Sequence, residues 1–176
     1  MTTTTAAPTT TTAASTLPTD LGLLVLRLAL GLTMAVHGSQ KLFGWFDGAG
    51  IDRTAKFFES QGYPASKAAA ILAGICEGFG GLALAIGLLT PLAAAAVLGT
   101  MLNAISVRWG GGFFAPKGVE YEVLIIASIV TIALAGPGRF AVDSVVGFLR
   151  PYRLVYGFAA IALALVTAGV VLLVRN

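Results

Sequence analysis

SKAAAILAGICEGFGGLALAIGLL, residues Ser66–Leu89, is the stretch that decides what kind of molecule this is. After the opening Lys67 it carries one charged side chain, Glu77. A helix of this length rises about 36 Å, enough to cross the ~30 Å hydrocarbon layer of a bilayer. Apolar residues do not alternate with polar ones at period two, so a transmembrane barrel strand is excluded. Thr90-Pro91 closes the run. A glutamate near the centre of such a helix costs about 2.5–3.5 kcal/mol on insertion scales and therefore asks for a partner or a purpose.

Four more runs of the same character flank it: Leu21 to Gly38, Leu92 to Val107, Val119 to Ala135 and Leu154 to Val174. The pattern predicts five membrane helices. The expected fold class is an all-α integral membrane protein, a four-helix transmembrane bundle with an additional C-terminal transmembrane helix. Composition agrees: 57% of residues are hydrophobic and 11% charged, where soluble domains carry about 45–50% and about 25%. The expected division is a disordered Thr/Ala/Pro-rich tail over 1–19, a four-helix domain over 20–149, and the fifth helix with a short tail over 150–176.

Charge and cysteine content exclude several functions. The net charge of +3 comes from basic residues scattered singly, with no block that would track a nucleic-acid backbone. The single cysteine, Cys76, cannot form an internal disulfide, a C-x-x-C redox pair or an iron–sulfur cluster. One histidine and one cysteine fit no metal-ligand spacing, so no metal is expected. Two connecting segments, Ile51 to Gln61 and Phe140 to Leu149, the second with Asp143 as its N-cap, have amphipathic patterns suited to lying flat at the interface. Trp45, Phe46, Tyr152 and Tyr156 then serve as headgroup-level anchors. Lys41, Arg53, Lys56, Lys67, Arg108, Lys117 and Arg175 fall on one side, and Arg139, Arg150 and Arg153 on the other. The positive-inside rule puts the first long loop in the cytoplasm and the N-terminus outside.

The charged residues within helices mark the candidate site. Counted from the helix starts, Arg27 and Glu77 fall at similar depth on antiparallel helices, which allows an ion pair. Such a pair is either a lock between helices or part of a working centre. Gly74, Glu77, Gly78 and Gly81 share one face, with the small-x-x-x-small spacing of close helix packing. His37, Gln40 and Lys41 end the first helix, Asn103 and Arg108 end the third, and Glu120, Tyr121 and Glu122 begin the fourth. All lie on one side and predict a polar mouth above Glu77. A lone histidine is most often structural, but a carboxylate beside His37 would tune it for proton transfer near neutral pH.

The ordered set of these motifs resembles the DoxX family of bacterial membrane proteins. It comprises Arg27, His37-Gly38-Ser39-Gln40-Lys41-Leu42-Phe43-Gly44-Trp45-Phe46, Phe57-Phe58 with Gly62, and Glu77 with Gly80-Gly81. It continues through Gly87-Leu88-Leu89-Thr90, Gly112-Phe113-Phe114, Glu120-Tyr121-Glu122, and Gly136-Pro137-Gly138-Arg139-Phe140 with Asp143. The resemblance implies a compact four-helix membrane domain and a link to redox or sulfur-stress chemistry. The family takes its name from similarity to a subunit of a thiosulfate:quinone oxidoreductase. The Thr-rich tail and the fifth helix depart from that pattern.

The resulting expectation is a multi-pass protein of the bacterial cytoplasmic membrane, a membrane subunit of an oxidoreductase system handling a quinone-like partner. Glu77 and His37 would relay protons. Arg27, Lys41, Gln40, Asn103, Glu120 and Glu122 would pair charge or hold substrate. Soluble redox proteins are the expected partners besides the bilayer, and an oligomer is compatible with the sequence. The alternative, from another class, is a non-catalytic scaffold or small-molecule carrier that recruits soluble partners.

Overall fold

A computed structural model describes residues 16–146 and 152–175. The described residues form six α-helices: α1 Leu17–Phe43, α2 Gly50–Ser60, α3 Ser66–Ile86, α4 Thr90–Arg108, α5 Glu120–Ala135 and α6 Leu154–Leu173. Among the described residues there is no strand. Among the described residues four segments are long and apolar enough to cross a membrane: α1, α3, α6, and α4 with the turn that follows it to Gly111. The fifth expected span, α5, has 16 residues, or about 24 Å. Its two ends nevertheless reach the depths of α1. Tyr121 meets His37, and Gly138, just past the other end, packs against Asp20 and Leu23. The chain is an all-α membrane protein.

Local chemistry sets the helix ends. α1 starts at Leu17, not Leu21, because Pro18 occupies its first turn, where a fixed φ and a missing N–H cost nothing. The expected tail therefore loses its last three residues to α1, and its first fifteen lie outside the described residues. α3 stops at Ile86, not Leu89. Gly87 adopts a left-handed φ of +70°, and the Leu88 N–H turns back to the Ala83 carbonyl at 2.8 Å, satisfying an orphan acceptor. The first amphipathic segment forms α2 as expected. The second does not form a helix from Phe140; its described part holds a short 3-10 turn, Val142–Ser144, and residues 147–149 lie outside the described residues.

α1 and α3 pack antiparallel with their backbones in contact. A Cβ on Gly31 would stand 2.5 Å from the Gly81 carbonyl oxygen, and Gly38 lies against Gly74 and Gly78. Dispersion over such a seam replaces the hydrophobic drive that is absent in lipid. Leu84, Val97, Ile129, Ile132 and Ala164 fill the space between α3, α4, α5 and α6. α6 presents Gly157, Ala160, Ala164 and Ala168 to the bundle. Outward, Val25, Leu32, Leu72, Phe79, Leu165 and Val166 form the apolar surface that lipid covers.

Candidate functional site

The glycine seam fixes the register of α1 against α3, and the register fixes which charges meet. Gly38 sits opposite Gly74 and Gly78, so the last turns of α1 pass the level of Glu77. Lys41, in the last turn of α1, reaches back about one helical turn and its Nζ donates to Glu77 Oε2. The Glu77 side chain is 4% exposed and that of Lys41 26%. The carboxylate is sealed in the bundle and the ammonium links it to the surface.

One turn deeper on α1, His37 Nε2 and the Tyr121 hydroxyl share a hydrogen bond of 2.9 Å, with the rings edge to face at 5.8 Å. The imidazole also lies within the fields of Lys41, Glu77 and Glu122 and within reach of the Gln40 side chain. Glu122 is buried, its Oε1 3.4 Å from Arg108 Nε. His37, Lys41, Glu77, Tyr121, Arg108 and Glu122 thus assemble at one end of the bundle. The other three expected members also bond outside the cluster. Gln40 donates to the Phe46 carbonyl at 3.2 Å. Glu120 accepts from the Ala115 N–H at 2.9 Å. Asn103 donates to the Gly99 carbonyl and accepts from the Tyr63 hydroxyl at 3.5 Å.

A cavity of about 290 Å³ opens beside this cluster, between the end of α1 and α2. His37, Gln40 and Lys41 line it from α1, Gly48 and Ala49 from the loop, and Arg53, Thr54, Phe57 and Phe58 from α2. Its walls are thus partly aromatic, with several hydrogen-bond donors at one side. Among the described residues no group of three or more His, Cys, Asp or Glu is placed to hold a metal ion.

Arg27 is not part of this site, and the Arg27–Glu77 pair that the sequence allowed does not form. With α1 starting at Leu17 and the seam pairing Gly31 with Gly81 and Ala85, Arg27 falls at the level of Gly87. That is ten residues, about 15 Å, from His37 along α1. There Arg27 is fully buried and its Nη2 donates to the Phe140 carbonyl at 2.6 Å. Asp143 supplies the nearby negative charge. The same carboxylate accepts from the Leu89 and Thr90 N–H groups at 2.7 and 2.8 Å, capping α4. The Asp143 N–H donates to the Gly87 carbonyl at 2.9 Å, and Asp20 holds the Arg139 N–H at 3.0 Å. Nearby, the Tyr152 hydroxyl donates to the Ala133 carbonyl; burial, reinforced by the Asp143 charge, pushes that phenol up. The result is a clasp that fastens the segment after α5 onto the α3–α4 turn.

Sequence reasoning missed Asp143 as the partner of that turn, reading it as a cap for its own segment. A carboxylate capping a helix that starts 53 residues earlier leaves no local signal. It also missed Arg53, Thr54, Phe57 and Phe58 as cavity walls. The signal available was their position on one flank of an amphipathic helix that follows the His37–Lys41 turn.

The DoxX family profile matches residues 22–110, from α1 through the turn after α4. CatD of Bacillus subtilis, named a candidate oxidoreductase, is 30% identical over 125 residues, covering 70% of this chain and 86% of its own length. An uncharacterised membrane protein of Mycobacterium tuberculosis is 31% identical over 130 residues, 67% of this chain and 77% of its own. No solved structure matches the chain.

Proposed function

We propose, from the premise that this chain belongs to the DoxX family, that it is the membrane subunit of a redox system in the bacterial cytoplasmic membrane. Its working end is the mouth, which faces the cytoplasm by the distribution of Lys and Arg. Its small partner is quinone-like, and soluble redox proteins dock on the same side. The observation that carries this reading is the Lys41–Glu77 pair, its carboxylate buried in the bundle, standing beside the His37–Tyr121 hydrogen bond at a cavity. Ionisable groups kept within a bilayer at such cost mark proton or ion pathways by default.

The cavity suits a ring-sized head group. At about 290 Å³ it lies at the lower limit of ligand pockets, about 300–1,000 Å³, so a long apolar tail stays outside. Phe57 and Phe58 offer apolar walls, and Lys41 and Gln40 offer donors to a carbonyl oxygen. A quinone, when bound, supplies the two-electron, two-proton chemistry. His37 holds or releases a proton at Nε2 through Tyr121, and Glu77 holds Lys41 in place through their ion pair.

One observation favours the scaffold reading instead: Lys41–Glu77 and Arg108–Glu122 are already paired with each other, as structural locks are. Purification in detergent, followed by absorbance and analysis of extracted lipid, separates the two. Bound quinone in the wild type that is lost in Glu77→Gln supports the redox reading. A clean apoprotein with co-purified soluble proteins supports the scaffold.

A further inference from the structure

The cavity beside Lys41 has a direction, and α2 sets it. At about 100° per residue, Asp52, Lys56 and Glu59 gather on one arc of α2, and all three are exposed. Thr54 and Ala55 are its buried residues. The cavity-lining Arg53, Thr54, Phe57 and Phe58 run along one side of α2, from the exposed Arg53 round to the buried Thr54 and the half-buried Phe58. Neither carboxylate of α2 lies on that flank. With the charged arc outward, this side of α2 turns away from it, toward the end of α1.

Depth agrees. α1 has 27 residues, about 40 Å, roughly 10 Å more than the hydrocarbon layer, so its ends lie among the headgroups. At the mouth end Phe43, Trp45 and Phe46 are 59%, 60% and 64% exposed, continuous with the apolar faces of α1 and α3 that lipid covers. Phe57, half exposed on the cavity flank, extends this rim. Amphipathic aromatic rings of this kind settle at the membrane–water interface. Charge adds the last constraint: Glu77 is neutralised by Lys41, which leaves Arg53 as the unmatched formal charge lining the cavity.

We infer that the cavity opens laterally into the headgroup region and takes the acceptor-bearing head of a membrane-dissolved amphiphile, with Arg53 recognising that head and the tail left in lipid. The redox role of the ligand rests on the function proposed above, whereas the lateral opening does not. The direct test is a single-tryptophan protein with Phe57→Trp in a Trp45→Phe, Trp109→Phe background, reconstituted in phosphatidylcholine vesicles. The expected result is strong quenching by lipid brominated near the headgroup, weaker quenching by lipid brominated near the chain end, and little by aqueous iodide. Iodide quenching above that of either bromolipid, or strongest quenching from the chain end, overturns the proposal. If the triple variant does not fold, native Trp45 in the Trp109→Phe protein serves as the reporter, with the same expected order and the same overturning results.

A second arm reads the ligand. A decyl-tailed benzoquinone should quench the position-57 tryptophan saturably, with half-saturation shifted upward by Arg53→Gln; the tail-less quinone should need far higher concentration. Equal potency of the two quinones overturns membrane access. Absence of saturable quenching by either, with the bromolipid order intact, removes the redox reading and supports the lateral opening alone.

Discussion

The two ends of the bundle both bury charge, and they do so in opposite ways. At the clasp, Arg27 is fully buried and bonded to a backbone carbonyl. The nearby Asp143 uses both carboxylate oxygens on backbone N–H groups. At the mouth, Lys41 remains about a quarter exposed and the Glu77, His37 and Tyr121 side chains bond one another or Lys41 beside a cavity. Charge tied to backbone at a helix turn holds a fold together. Charge tied to other side chains beside open space can exchange partners and protons. On the function proposed above, the clasp serves structure and the mouth serves chemistry.

This contrast breaks first at Asp143. Asp143→Ala removes the negative charge nearest Arg27 and leaves the Leu89 and Thr90 N–H groups unsatisfied, at about 1–3 kcal/mol each, so the largest loss is expected here. Denaturant titration of helicity in detergent measures it. A loss smaller than that of any mouth variant would erase the distinction.

Lys41→Ala comes next. It strands the Glu77 carboxylate, but water reaches Lys41, so the loss should fall below the about 3–5 kcal/mol of a fully buried pair. Adding Glu77→Gln should recover most of it, a coupling that a double-mutant cycle reads directly. The seam joining the two ends is tested by Gly38→Ala. Its Cβ would meet the Gly78 backbone, and about 1–3 kcal/mol of overpacking cost is expected, against none for Gly22→Ala, which has open space.

The smallest stability effect with a functional consequence is expected of Tyr121→Phe. One neutral hydrogen bond is worth about 1 kcal/mol, so the protein should fold while proton-linked activity falls. As a baseline, the exposed Lys67–Asp52 pair at 3.1 Å should contribute no more than about 0.2–1 kcal/mol. Lys67→Ala should therefore leave both stability and activity near the wild type.

Membrane class, the helices and the gathering of His37, Lys41 and Glu77 were legible in the residues, because apolar run length and helix-end position are local properties. The Arg27–Glu77 pairing failed for a traceable reason. Depth was counted as though the facing ends of α1 and α3 were flush, whereas α1 runs past the end of α3 and Arg27 lies level with Gly87. The true register is set by Gly31 and Gly38 against α3, a contact between two helices that neither sequence declares alone. Asp143 was misread for a related reason: its partners at Leu89 and Thr90 are near in space only. The partners of Gln40 and Asn103 were equally hidden, since one answers to a loop carbonyl and the other to Tyr63.

The central claim is that the mouth works and the clasp holds. Complementation of a strain lacking this chain by Glu77→Gln, confirmed at normal membrane abundance and normal unfolding in detergent, tests it most directly. The account predicts a folded protein that fails to restore redox-stress tolerance. Full restoration by that folded variant would contradict it.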